Sequence, residues 1–258
     1  MEKKKNDFIA QGSILAIASI LVRVMGMIYR IPMTAIIGDK GNGFYSYAYS
    51  VYTILLLLSS YSLPLAVSKM VSAKAQLGQW RNVKRVFICA IAFAIGIGTT
   101  FGLIVLIGAQ FFTRVFFHSE LAAIALRFMA PTILIMALLG VFRGFFQGLQ
   151  NTLPTAVSQI VEGLINAIMS VVFAYFLFDF GHGMDVVSGT TDLGYAWGAA
   201  GGAIGTGAGA LAGLIFCFIL FVAYRKILAV NISRDKTGTQ QEYGDIFRLM
   251  LSIALPVI

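Results

Sequence analysis

At 258 residues, with 59% hydrophobic and only 12% charged side chains, the chain is too apolar for a soluble globular domain, in which about a quarter of residues are charged. The formal net charge of +8 does not point to nucleic acid, because the cations fall in short segments between apolar runs, as the positive-inside rule requires. Cys89 and Cys217 lie inside apolar runs, and His118 and His182 stand in polar segments without a partner constellation, so a disulfide framework, a metal site and an enzyme active site are not expected. What remains is an all-α polytopic membrane protein that uses no cofactor.

Lys3-Lys4-Lys5 imitates the start of a signal peptide, but the apolar run that follows is too long and lacks a small-residue cleavage site, so it reads as an uncleaved first span. That run, residues 8–37, exceeds the roughly 20 residues that a hydrocarbon core needs, and Arg23 and Arg30 interrupt it. Seven residues apart is about two helical turns, so both guanidinium groups leave nearly the same face, with Gly26 between them. Arg23 lies roughly 22 Å along the axis from Phe8, near mid-bilayer. An arginine at that depth costs at least ~2.5 kcal/mol, so it must meet a wet cavity, an anion or a carboxylate on another span; Arg30 can instead snorkel to headgroups. A polar cavity that receives an anion is the reading adopted. Pro32 is expected to bend the helix, and residues 38–43 to form a short turn.

A second span is expected over residues 44–71. It opens on Tyr45, Tyr47, Tyr49 and Tyr52, as an interfacial belt does, and Ser59, Ser60, Ser62 and Pro64 make its far part polar and bendable. Lys69, Lys74, Arg81, Lys84 and Arg85 mark a cytoplasmic loop before a third span at 86–112. After a turn with Arg114, His118 and Glu120, a fourth span at 121–148 holds Arg127 and Pro131, with Arg143 and Gln147 at its inner end as a gate or headgroup contact. The fifth, 154–178, carries Thr155, Ser158, Gln159, Glu162, Asn166 and Ser170 at helical spacing, a stripe that lipid cannot solvate. Glu162 is therefore expected to face Arg23 or Arg127. Residues 179–192 read as an external loop with His182 and Asp185 solvated. A sixth span at 193–224 contains Gly201, Gly205, Gly209 and Gly213, a small-xxx-small pattern for close helix packing.

The cations divide unevenly, about fourteen on the amino-terminal side against Lys40 and Arg114 opposite, which places the amino terminus in the cytoplasm. The expected organisation is a six-helix transmembrane lobe over residues 1–230, then a cytoplasmic linker and the start of a seventh helix over 231–258. The run at 246–258 is too short to cross, which suggests a truncated chain.

Three blocks carry a family resemblance: Gly26-Met27-Ile28-Tyr29-Arg30-Ile31-Pro32 with Gly38-Asp39 and Gly41-Asn42-Gly43-Phe44-Tyr45; Pro64-Leu65-Ala66-Val67-Ser68-Lys69; and Arg143-Gly144-Phe145-Phe146-Gln147-Gly148 with Pro154-Thr155-Ala156 and Ser158-Gln159-Ile160-Val161-Glu162. The chain resembles the polysaccharide-flippase branch of the multidrug/oligosaccharidyl-lipid/polysaccharide (MOP) exporter superfamily, and within it the stage V sporulation protein B-like group. The resemblance implies two six-helix lobes around a central cavity, of which this chain supplies one, so a carboxy-terminal lobe is a required partner. It also implies a bacterial cell-membrane protein whose cargo is an undecaprenyl-pyrophosphate-linked sugar, with Arg23 and Arg30 on the diphosphate and with Glu162, Gln159, Asn166 and Arg127 lining the site. Gly26 and Pro32 would be hinges. Lipid II flippases of the same branch bear their second first-helix arginine closer to the first and another arginine in the second helix. Here the comparable part reads Ser59-Ser60-Tyr61.

Other functions compete with this one. A cation-coupled multidrug antiporter would need carboxylates in the cavity, where arginines outnumber Glu162. A membrane enzyme would need a base or nucleophile in a site. An inactive half-transporter would need neither.

Overall fold

The computed structural model describes residues 2–60, 62–238 and 240–254, with side chains from residue 12 onward except at Ser60 and Ala254. Tyr61 and residues 255–258, on which part of the expected second and seventh helices fall, lie outside them. The elements are α1 (Glu2–Ser60), α2 (Leu63–Gln76), α3 (Trp80–Phe117), α4 (Ala122–Gly148), α5 (Leu153–Ser188), α6 (Leu193–Ser233) and α7 (Tyr243–Ala254). Helix is the form a bilayer enforces on such segments, because each helix satisfies its own backbone N–H and C=O groups. Among the described residues five stretches are long and apolar enough to cross a membrane, and the first of these, Gly12–Gln76, runs for 65 residues.

That first stretch is two spans, not one. Gly38 sits at φ 63° and ψ −177°, the non-helical point within α1, a conformation that glycine adopts without the Cβ penalty. Contacts with α6 show that the chain doubles back there. Before the kink, Ile37 meets Gly198 and Met33 meets Gly202; after it, Gly41 meets Tyr195 and Tyr45 meets Gly202 again. Both arms therefore climb α6 in the same direction from one apex. The apex is tied to the α5–α6 turn by Lys40 and Asp192, 2.9 Å apart, an exposed pair of small energetic value. The expected turn over 38–43 is thus compressed to one residue, and the break falls at Gly38 while Pro32 stays inside regular helix. The expected second span is also interrupted: α1 ends at Ser60 and α2 resumes at Leu63, with Pro64 in its first turn, where a missing N–H costs nothing.

The remaining helices alternate in direction. Gly98 and Gly102 of α3 lie against Leu134 and Ala130 of α4, so that pair is antiparallel, while Gly140, Gly144 and Gly148 of α4 follow Pro64, Val67 and Val71 of α2 in parallel order. The ends of α2, α4 and α6 and the starts of α3 and α5 thereby share the Lys/Arg-rich end of the bundle. The closest pairing is α5 with α6. Gly201, Gly205, Gly209 and Gly213 face Ala174, Ser170, Asn166 with Glu162, and Ser158 in turn, and a Cβ at Gly209 would stand 2.6 Å from the Glu162 carbonyl oxygen. The glycine pattern is thus a backbone-to-backbone seam. Gly205→Leu is expected to push α5 and α6 apart and to lower the thermal unfolding temperature of the purified protein, at a cost of roughly 1–3 kcal/mol or more. Gly96→Ala, where nothing lies within 4 Å, should leave that temperature unchanged or raise it.

Helix ends overrun the apolar runs. α5 continues to Ser188 and stops at Gly189 with φ 71°, so residues 179–188, expected as loop, are helical. Asp185 is buried and accepts the backbone N–H groups of Leu193 and Gly194 at 3.0 and 2.8 Å and the Thr190 hydroxyl at 2.6 Å. It is not one of a solvated pair with His182. Instead it supplies the acceptors that the start of α6 lacks.

At the Lys/Arg-rich end the linker after α6 is docked on α3. Asp235 accepts the Arg81 backbone N–H at 2.9 Å and the Thr237 hydroxyl and N–H; these donors, the Arg81 N–H foremost, hold its carboxyl down at about 2. The Asp235 contact is therefore complete above the ordinary carboxylate range and lost only as pH falls toward 2. Arg85 bonds Gln240 and Gln241, and Asn82 accepts from the Gln241 N–H. The chain then enters α7, whose Ile246 and Met250 are buried in the same apolar cluster as Val67, Val86 and Phe145.

The sidedness expected from the cations has a direct check. A cysteine replacing Val187, at the α5–α6 end, should be modified by an impermeant thiol reagent applied to intact cells, and one replacing Lys74 should not. Cys89 and Cys217 are buried and leave a low background.

Candidate functional site

The first arm of α1 has three distinct sides. Ala18, Met33 and Ile37 are buried, and Val22 meets Gly163 of α5; this is the packed stripe. On the side away from it Ile17, Val24, Ile28 and Ile31 are exposed, as a lipid-facing surface should be. Between the two runs a polar flank, Ser19, Arg23, Gly26, Arg30 and Thr34, spaced four, three, four and four residues apart and so on one helical face. Arg23 and Arg30 are exposed on it, while Ser19, Gly26 and Thr34 are half-buried. Among the described residues neither arginine belongs to an ion pair. Ser19 and Thr34 extend the flank that the sequence reading drew from Arg23, Gly26 and Arg30 alone, and the same spacing would have found them.

The contact between Val22 and Gly163 sets Arg23 at the level of Glu162. The two are not partners. Glu162 instead pairs with Arg143 of α4, Nη2 to Oε2 at 2.7 Å, with side chains 12% and 25% exposed for Arg143 and Glu162. The same guanidinium donates from Nε to the Ser158 hydroxyl at 2.8 Å, which donates onward to the Thr155 carbonyl. Gln147 donates to the Thr155 hydroxyl at 3.3 Å. The expectation that Glu162 meets Arg23 or Arg127 is therefore corrected, and so is the placing of Arg143 at the headgroups. Its side chain turns inward because the short turn between α4 and α5 brings the end of α4 back toward the start of α5, where Ser158 and Glu162 accept from it.

This seam has two further parts. Ser170 donates to the Asn166 side-chain oxygen at 2.8 Å and lies 3.3 Å from the Gly202 carbonyl, across to α6. Gln159 leaves its Oε1 buried without a hydrogen-bond partner among the described residues. Tyr45 and Tyr52, expected in an interfacial belt, are buried instead, while Tyr47 and Tyr49 are exposed; Tyr45 hydroxyl and Thr206 stand 3.2 Å apart. Arg127 is exposed in the second turn of α4, next to Phe128 on Trp197, near the opposite end of α4 from Arg143. The structure thus brings Gln147, Thr155, Ser158, Glu162 and Arg143 together, sets Arg23 beside them in level, and leaves Arg127 apart. Pro32 is exposed and Gly26 has open space around it. Among the described residues no cluster of His, Cys, Asp and Glu could hold a metal ion.

Electrostatically, the seam neutralises its own carboxylate and the flank keeps two positive charges. In apolar surroundings such charges favour an anion, and guanidinium suits phosphate through paired N–H donors.

Comparison with known proteins bears on the same features. The polysaccharide biosynthesis protein family model matches residues 8–241. The chain is 26% identical over 256 residues to stage V sporulation protein B of Bacillus subtilis, covering 98% of this chain and 46% of that protein. It is 24% identical over 253 residues to the lipid II flippase MurJ of the same organism, covering 95% and 45%. The chain spans about half the length of these relatives. A MOP superfamily transporter from Pyrococcus furiosus shares the fold at a TM-score of 0.67 and 16% identity, over 95% of this chain and 51% of that one. With a membrane-spanning helical fold and a family match across nearly its whole length, the chain belongs to the polysaccharide biosynthesis protein family.

Proposed function

We propose that the chain forms one lobe of a flippase that moves a lipid-linked oligosaccharide or peptidoglycan precursor across the bacterial cell membrane by alternating access. Its amino terminus lies in the cytoplasm on this reading. The observation that carries it is the exposed pair Arg23 and Arg30, without a counter-ion among the described residues, on a flank that also bears Ser19 and Thr34. Lipid is a costly neighbour for that flank. A second lobe facing it would enclose a polar cavity, and transporters built from paired bundles bind at such interfaces. The diphosphate of an undecaprenyl-linked sugar meets the charge and fork geometry of the arginines. Glu162, Gln159 and Asn166 line the same wall, Arg143 and Gln147 gate its Lys/Arg-rich end, and Gly26 and Pro32 let the first arm flex between inward- and outward-open states.

Relatives named for a lipid II flippase and a sporulation protein support a glycan-linked cargo without choosing the glycan. The multidrug antiporter reading is weaker on one specific ground: Glu162, the carboxylate that a cationic drug or coupling ion would use, is already held by Arg143 at 2.7 Å. Reconstitution of the whole protein into liposomes separates the two. Movement of a fluorescent undecaprenyl-diphosphate glycan without efflux of a cationic dye is the expected result, and dye efflux without glycan movement would contradict it.

A further inference from the structure

A groove opens between the start of α3 and the end of α6 at the Lys/Arg-rich end of the bundle. It has a volume of about 560 Å³; Phe87, Phe221 and Leu228 form its floor, and Lys84, Arg225 and Lys226 its rim. Phe87 and Phe221 stack at 4.5 Å with 22° between their planes, and Leu228 is buried, so the floor is fixed and apolar. The three rim cations are exposed, and among the described residues none of them is in an ion pair. None of the described residues lining the groove is acidic. Asp235, just past the end of α6, is already engaged by Arg81 and Thr237.

The groove draws on α3 and α6 alone, so it belongs neither to the arginine flank on α1 nor to the seam on α4 and α5. Its chemistry is that of an amphiphile. A soluble anion would leave the aromatic floor bare, and an uncharged apolar chain would leave three cations unanswered. A zwitterionic headgroup would bring its own cation against the rim. Basic pockets between spans at the polar end of a bundle suit anionic headgroups, each Lys or Arg adding to the attraction, and long cationic stems lie readily along apolar surface. Bulk lipid is what meets the outer ends of these two spans. We propose that the groove holds an anionic glycerophospholipid, its phosphate on Lys84, Arg225 and Lys226 and an acyl chain over Phe87 and Phe221.

Native mass spectrometry of the whole purified protein, titrated with phosphatidylglycerol or phosphatidylcholine, tests this. Phosphatidylglycerol should be retained preferentially, and Lys84→Gln/Arg225→Gln/Lys226→Gln should weaken it by about tenfold or more. Lys69→Gln/Lys74→Gln/Lys236→Gln, which removes the same charge outside the groove, should change little. Ala229→Trp fills the groove at an exposed lining position without altering charge, and should also displace the lipid. Equal losses in the two charge variants, or undiminished binding in Ala229→Trp, would reduce the effect to general attraction by a basic surface and overturn the proposal. Preference for undecaprenyl diphosphate over phosphatidylglycerol at this groove would overturn the identity of the occupant. All variants sit at surface positions, and an unchanged elution volume confirms that each is folded.

Discussion

Arg23→Ala combined with Arg30→Ala is expected to abolish movement of a lipid-linked glycan by the whole protein while leaving its thermal stability nearly unchanged. The two effects separate because both side chains are exposed and, among the described residues, outside any ion pair. Nothing in the packed stripe of Ala18, Val22, Met33 and Ile37 depends on them. Arg23→Lys should restore transport only in part, since an ammonium keeps the charge but loses the planar fork. Retained transport in the double variant, measured with a fluorescent substrate in liposomes, would remove the arginine mechanism. A large loss of stability would show instead that the arginines are structural.

The opposite pattern is expected at the seam. Glu162→Ala leaves the guanidinium of Arg143, 12% exposed, with its bond to Ser158 alone among the described residues, and Arg143→Ala leaves the Glu162 carboxylate, 25% exposed, without its cation. Breaking one member of a buried pair costs on the order of 3 kcal/mol, whereas replacing both by apolar groups is often close to neutral. Thermal unfolding should therefore show both single variants clearly destabilised and Arg143→Met/Glu162→Leu recovering most of the loss. Additive losses in the double variant would mean that the two side chains act separately and that the 2.7 Å contact contributes little.

The spans were legible because the bilayer itself selects them: residues 121–148 read from hydropathy match α4 (Ala122–Gly148) to within one residue. Gly201, Gly205, Gly209 and Gly213 were equally legible, since a four-residue repeat of small side chains has meaning only against another backbone. Helix ends were not. Beyond the hydrocarbon a helix needs no apolar surface, so Asp179, His182 and Asp185 read as loop although the backbone stays helical to Ser188. The partner of Glu162 was missed for a different reason. Arg143, close to the end of α4, reads as interfacial by depth alone. Folding the sequence about the short α4–α5 turn would have set residue 143 opposite 158, the very hydroxyl it bonds, with Glu162 one turn further within reach of the long side chain. The arginine flank was half legible: its charges stood out and the same spacing reaches Ser19 and Thr34, whereas the packed stripe on α5 and α6 was needed to fix which side of the arm was free.

The central claim is that this flank faces an aqueous cavity that attracts anions. Cysteines placed at Ser19 and Thr34, and at Ile17 and Ile28 on the opposite side of the same arm, can be assayed in native membranes for reaction with small hydrophilic methanethiosulfonates. Ser19→Cys and Thr34→Cys are expected to react, faster with a sulfonate reagent than with its trimethylammonium counterpart because Arg23 and Arg30 lie beside them, while Ile17→Cys and Ile28→Cys stay unmodified. Silence at positions 19 and 34, or faster reaction there with the cationic reagent, would contradict the account.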